Sequence, residues 1–128
     1  MFLGLRTVIY PAPDLERSKA WYTALLGHGP YFDEPFYVGF EAGGYELGLN
    51  PRADPADGAR TYWGVPDAAV AHAALLAAGA EAVTDVTEVG EGIKVGEVRE
   101  PGGAILGVIE NPVFAVRPVA EPGPGPGR

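Results

Sequence analysis

The chain has no cysteine among its 128 residues, which excludes disulfides, thiolate metal ligands and cysteine nucleophiles together. Its one serine, Ser18, falls in a helical stretch without a partner base, so a serine acyl-transfer site has no nucleophile. There are two histidines, His28 and His72, and basic residues are few: nine Lys and Arg against seventeen Asp and Glu, a net charge of −8. The basic residues are also scattered, which argues against a nucleic-acid partner. No apolar run approaches the roughly 20 residues of a membrane span. The opening "MFLGLRTVIYPAP" lacks a charged-then-apolar signal pattern, so a cytoplasmic protein without a membrane partner is expected. The Gly-Gly pairs are not followed by Lys-Ser/Thr, which removes a phosphate-loop reading. Lys19 and Lys94 read as solvated side chains rather than Schiff-base formers.

What is present is a pattern said twice. "LGLRTVIY" alternates as a strand, "PAPD" stops it, and Asp14 caps a helix whose apolar face holds Leu15, Tyr22, Leu25 and Leu26 before Gly27 ends it. Three short strands follow in "YFD", "FYVGFEA" and "YELGLN". The order then restarts. "RTYWGV" is a strand, "PDAAVAHAALLAAGA" is a helix capped by Asp67 and ended by Gly79, and "EAVTDVTEV", "GIKVGEVRE" and "AILGVIE" are strands. Thr7 precedes Asp14 by seven residues, and Arg60 precedes Asp67 by seven. The strand "GGYELGLNP" also has a near-copy in "GGAILGVIENP".

The expectation is an α+β fold of two βαβββ modules, about residues 3–51 and 58–112, whose sheets form one cleft within a single domain over residues 1–117. The stretch "RPVAEPGPGPGR" has almost nothing to bury, so a disordered Pro/Gly tail is expected over residues 118–128.

The stretches "VIYPAPDLERSKAWYTALLG", "GGYELGLNP", "YWGVPDAAVAHAALLAAGA" and "REPGGAILGVIENP" carry a resemblance to the vicinal oxygen chelate superfamily, which includes glyoxalases, bleomycin resistance proteins, fosfomycin resistance enzymes and extradiol dioxygenases. The resemblance covers roughly residues 3–112 and implies a curved mixed-sheet cleft. In metal-dependent members, a position on the first and last strand of each module holds the ion, usually through His, Gln or Glu. Carried onto this chain, those positions fall on Thr7, Glu46, Arg60 and Gly107, and only Glu46 is a ligand type. The last match depends on gapping, since aligning the Gly-Gly pairs sets Glu46 against Ile105 instead. A guanidinium offers no lone pair and repels a cation, so neither a metal nor another cofactor is expected.

Strand alternation places Thr7, Ile9, Glu46, Gly48, Arg60, Tyr62, Ile105, Gly107 and Ile109 on the cleft side, with Val8, Leu47 and Trp63 beneath the helices. Glu46 and Arg60 are expected to face each other. They make either a structural ion pair in a vacated metal position or a pair that orients a polar ligand, with Gly107 leaving room for its bulk. In "YFDEPFYVGF", Phe32 and Phe36, with Tyr62, are candidates for a stacking platform, while strand aromatics also serve as core or as a homodimer seam. The resemblance implies two functions. One is metal-independent binding of a small organic ligand, such as an antibiotic or metabolite. The other is a lyase, isomerase or dioxygenase using Glu46 as general base.

Overall fold

The computed structural model describes residues 1–112, so the expected tail at 118–128 lies outside the described residues. The elements follow in the order β1 (Gly4–Pro11), α1 (Leu15–Leu26), β2 (Phe32–Glu34), β3 (Tyr37–Ala42), β4 (Tyr45–Asn50), a 3-10 turn (Pro55–Asp57), β5 (Arg60–Gly64), α2 (Ala68–Ala77), β6 (Glu81–Gly90), β7 (Ile93–Arg99) and β8 (Ile105–Glu110). Both helices start as the residue types dictate. Asp14 Oδ1 accepts from Arg17 N at 3.2 Å and Asp67 Oδ1 from Val70 N at 3.1 Å. A second carboxylate reaches α2 from the last strand, where Glu110 Oε1 accepts from Ala68 N at 2.9 Å. Gly27 closes α1 in the left-handed region, φ 83°, which a residue without Cβ adopts at little cost.

The strands make one mixed eight-stranded sheet in the order β2-β3-β4-β1-β5-β8-β7-β6. β1 pairs parallel with β4, and β5 parallel with β8, as a helical crossover requires. The two modules meet where β1 and β5 pair antiparallel. This is the α+β arrangement of two βαβββ modules that the repeat predicts.

The helices share one face of the sheet. Under α1, Ala12, Val38, Phe40 and Leu49 are buried, with Leu15, Tyr22, Leu26 and Leu47 packed against them. Under α2 the buried set is Val65, Ala68, Ala71 and Val108, with Leu75, Val86 and Leu106 beside it. Trp63 belongs to neither cluster and rests on Phe2, ring centroids 5.0 Å apart. Because strand side chains alternate, everything out of phase with these residues projects from the opposite, open face.

Candidate functional site

The ladders set one row of residues across the open face. Reading from β3 to β6, the paired positions are Glu41, Glu46, Thr7, Tyr62, Gly107, Glu97 and Thr84. Two carboxylates in this row, Glu46 and Glu97, are the centres of two polar clusters, one in each module.

Around Glu46 the donors are hydroxyls. Thr7 Oγ1 donates to Glu46 Oε1 at 2.9 Å, and the Tyr31 hydroxyl donates to Oε2 in a short contact. The Tyr37 hydroxyl lies over Gly48, with the Glu46 charge as its neighbour. Two glycines make this possible. A Cβ on Gly48 would lie 1.9 Å from the Tyr37 hydroxyl oxygen, and one on Gly39 would lie 2.7 Å from Glu46 Oε2. Burial, with the neighbouring Glu46 charge behind it, pushes the Tyr37 and Tyr31 hydroxyls well above the usual tyrosine range, so both remain protonated donors. Phe32 lies 6.1 Å from the Tyr37 ring and 6.0 Å from the Phe36 ring, extending an aromatic surface outward from the carboxylate.

Around Glu97 a cation joins the hydroxyls. Arg60 Nη1 donates to both Glu97 oxygens at 3.0 Å, Tyr62 donates at 2.7 Å and Thr84 at 3.0 Å. Arg60 Nη2 turns to Asp57 at 3.4 Å, which leaves Arg60 Nε buried without an acceptor. Glu97 is 6% exposed. Burial pushes its carboxyl up, but Tyr62, Arg60 and Thr84 together outweigh it and hold the group below its ordinary value. Beneath the sheet, His72 on α2 meets the Glu97 backbone carbonyl at 3.2 Å, a structural role away from the open face.

This geometry corrects three expectations. Glu46 and Arg60 do not pair: Thr7 aligns with Glu46 while Arg60 aligns with Ile9, two residues further along the sheet, and Arg60 is taken by Glu97 and Asp57. Gly107 does not open space for a ligand, because the Tyr62 ring lies over it and a Cβ there would be 2.8 Å from that ring. Phe32 and Phe36 do come together, but with Tyr37 rather than with Tyr62, which serves Glu97. The residues missed from sequence were Tyr31, Tyr37 and Glu97. Each was in a predicted strand or its edge, and the "V-G-E" of β7 carried the signal, a carboxylate in phase with a glycine-flanked open-face position.

The register also settles the gapping of the last strand. Thr7 pairs with Glu46 in module one. In module two Thr61 pairs with Leu106, so the next step of that ladder sets Arg60 against Ile105. The positions equivalent to a metal site are therefore Thr7, Glu46, Arg60 and Ile105. One carboxylate and one hydroxyl with a guanidinium and an alkyl group do not fit a divalent ion, which wants several oxygen or imidazole ligands. No group of three or more His, Asp or Glu side chains is gathered for an ion among the described residues.

Two modules with a shared sheet and a polar open face define a class, and direct comparison agrees. The chain belongs to the Glyoxalase/Bleomycin resistance protein/Dioxygenase superfamily, whose family profile matches residues 4–111. A superfamily member from Vibrio splendidus 12B01 has a TM-score of 0.65 at 16% identity, covering 84% of this chain and 99% of that one. Methylmalonyl-CoA epimerase in complex with methylmalonyl-CoA and NH4+ has a TM-score of 0.70 at 14% identity, covering 91% of this chain and 100% of that one. The Mn(II)-bound glyoxalase from Novosphingobium aromaticivorans has a TM-score of 0.65 at 19% identity, covering 94% of this chain and 43% of that one. A comparison with curated proteins gave no match. At these identities the solved structures share the fold, and activity must be argued from the site. Among the described residues, no helix is long and apolar enough to cross a membrane.

Proposed function

We propose that this chain is a metal-independent binding protein for a small organic molecule, with the open face around Glu46, Thr7, Phe32 and Phe36 as its binding surface. The observation that supports it most is the fate of the four metal positions: Arg60 is consumed by Glu97 and Asp57, and Ile105 has no donor atom. The face stays polar and aromatic while the ligand set for an ion is gone. Elemental analysis and native mass spectrometry of purified protein test this. The expected result is no stoichiometric zinc, nickel, iron or manganese, and a Tm unchanged by EDTA. One transition metal per chain, removed by EDTA with loss of stability, overturns the reading, since an ion bound to the native state stabilises it by mass action.

A second reading, an isomerase or lyase with Glu46 as general base, is favoured by the fold likeness to the epimerase. Against it, both Glu46 oxygens already accept a hydrogen bond, Oε1 from Thr7 and Oε2 from Tyr31, so a substrate proton must displace one of these donors. Turnover that survives EDTA and is lost in Glu46→Gln would select this second reading.

The protein is also expected to be a homodimer. Tyr31 and Phe36 are 65% and 59% exposed beside the three-residue edge strand β2, an apolar surface that a second copy would cover. Sedimentation at micromolar concentration should give about twice the 13.4 kDa chain mass; a monomer alone refutes it.

A further inference from the structure

Asp57 has a position that the Glu97 cluster does not explain. It ends the 3-10 turn between the two modules, and its carboxylate bridges two guanidiniums, Arg60 Nη2 at 3.4 Å and Arg99 Nη2 at 3.8 Å. The ladders fix where this bridge lies. Arg99 pairs with Ile105, and Arg60 falls one step before the Thr61–Leu106 pair, so the two arginines flank Ile105 from β7 and β5. Ile105 is 2% exposed although it belongs to the open face, and the Arg60–Asp57–Arg99 bridge spans it.

Both contacts of Asp57 are long. A charge-assisted N–H···O bond closes to about 2.7–2.9 Å. Each guanidinium bonds more tightly elsewhere, Arg60 Nη1 to Glu97 at 3.0 Å and Arg99 Nη1 to the Gly103 carbonyl at 2.8 Å. Nothing apolar pins the turn either, since Asp54, Pro55 and Ala56 are exposed. Arg60 also has donors to spare. Nε and Nη2 form one edge of its planar group, a two-donor fork that matches the two oxygens of a carboxylate. On this edge Nε is buried with no acceptor among the described residues, and Nη2 has only the 3.4 Å contact. With Oδ1 turned to Arg99, Asp57 offers the fork one oxygen where two fit.

We propose that Asp57 is a tethered occupant of an anion site formed by Arg60 and Arg99, and that a small monocarboxylate displaces it. The incoming carboxylate takes the Nε–Nη2 fork of Arg60 with both oxygens and faces Arg99 Nη2. With Asp57 withdrawn, Arg60 and Arg99 against Glu97 leave one positive charge, which one monoanion cancels. A dianion finds no second counter-charge and is repelled by Glu97 and by Glu81, the residue opposite Arg99 on β6. Beside Arg99 a cleft of about 310 Å³, lined by Gly79, Glu81, Glu100 and Gly103, has room for a short polar body. The site belongs to module two and the inter-module turn. It is separate from the Glu46 surface and does not rest on the function proposed above.

Acetate and acetamide have nearly the same shape and differ in charge, so they serve as probes. Backbone NMR shifts titrated at constant ionic strength read binding at Arg60, Arg99 and Ile105. Asp57 competes from within the chain, so wild type should bind acetate weakly and Asp57→Asn at least about fivefold tighter. Acetamide should show no such gain. Asp54→Asn removes the same charge from the same turn, and Asn serves equally as its cap, so acetate binding should stay at the wild-type level. Adding Arg99→Gln to Asp57→Asn should return acetate to the wild-type level or below. Asp57→Ala repeats the test should Asp57→Asn fail to fold. No gain in either Asp57 variant, an equal gain in Asp54→Asn or for acetamide, or acetate binding untouched by Arg99→Gln overturns the site.

Discussion

Arg60→Met is expected to lower the free energy of unfolding by about 3–5 kcal/mol at neutral pH, because it leaves a buried carboxylate without its cation. The Glu97 side chain is 8% exposed, and Arg60 is its only ion-pair partner among the described residues. Tyr62 and Thr84 would still donate, but two neutral hydroxyls do not offset a charge taken out of water. The pH dependence follows from the direction of the Glu97 shift. Its folded carboxyl lies below the ordinary 4.5, so its contribution is complete above that value and is lost as the pH falls through the folded value. In Arg60→Met the attraction is gone and burial is opposed only by Tyr62 and Thr84, which moves the folded carboxyl upward and shrinks its contribution. The gap between the two proteins should therefore narrow as the pH falls from about 6 towards 3.

Arg60→Met with Glu97→Leu should recover most of the loss, since the two share one contact. Arg60→Met with Glu46→Gln should be additive within about 0.5 kcal/mol, because those residues have separate partners. Urea denaturation across this pH range of wild type, Arg60→Met, Glu46→Gln and the two double variants measures these effects. A gap below about 1 kcal/mol at neutral pH, or one that does not change with pH, would show that Glu97 does not depend on Arg60.

Phe40→Ala is expected to cost about 3–5 kcal/mol, and the loss should not stay in its own module. Phe40 is 0% exposed and packs with Val38, Leu49 and Ala12 under α1. It also sits between Gly39 and Glu41, so a collapse there shifts the strand that carries the floor of the Glu46 cluster. The sheet is continuous through the β1–β5 ladder, and losing β1 leaves β5 an unpaired edge. Unfolding should therefore remain a single transition at a lower denaturant midpoint.

The two tryptophans report the modules separately. Trp21 lies on α1 against Tyr22 at 4.9 Å, and Trp63 lies on β5 against Phe2. Fluorescence of Trp21→Phe and Trp63→Phe backgrounds should give coincident midpoints with and without Phe40→Ala. A Trp63 signal that persists after Trp21 has unfolded would show that the modules are independent domains.

The amino-acid order by itself determined the elements and their faces. Asp14 and Asp67 at equal spacing from their strands, period-two alternation, and a chain whose pattern restarts at Arg60 are local signals, and each element follows from a few neighbouring residues. It also determined that Thr7, Glu46, Arg60 and Tyr62 share one face, because alternation is strict within a strand.

Only the tertiary structure decided who meets whom. Sequence parity places Glu46 and Arg60 on the same side but carries no information about the step between adjacent ladders. That step set Arg60 beside Ile9 and gave it to Glu97, a residue from a strand 37 positions away. The same register made Ile105, not Gly107, the counterpart of Glu46 and placed the Tyr62 ring over Gly107. Tyr31 and Tyr37 were legible as strand aromatics, yet the Tyr31 hydroxyl reaches Glu46 and the Tyr37 hydroxyl settles over Gly48 only because Gly39 and Gly48 lie beside each other on paired strands and leave the space open. Strand faces are a property of the local backbone. Hydrogen-bond partners on a sheet depend on how strands distant in sequence slide past one another, and that is settled when the core beneath them packs.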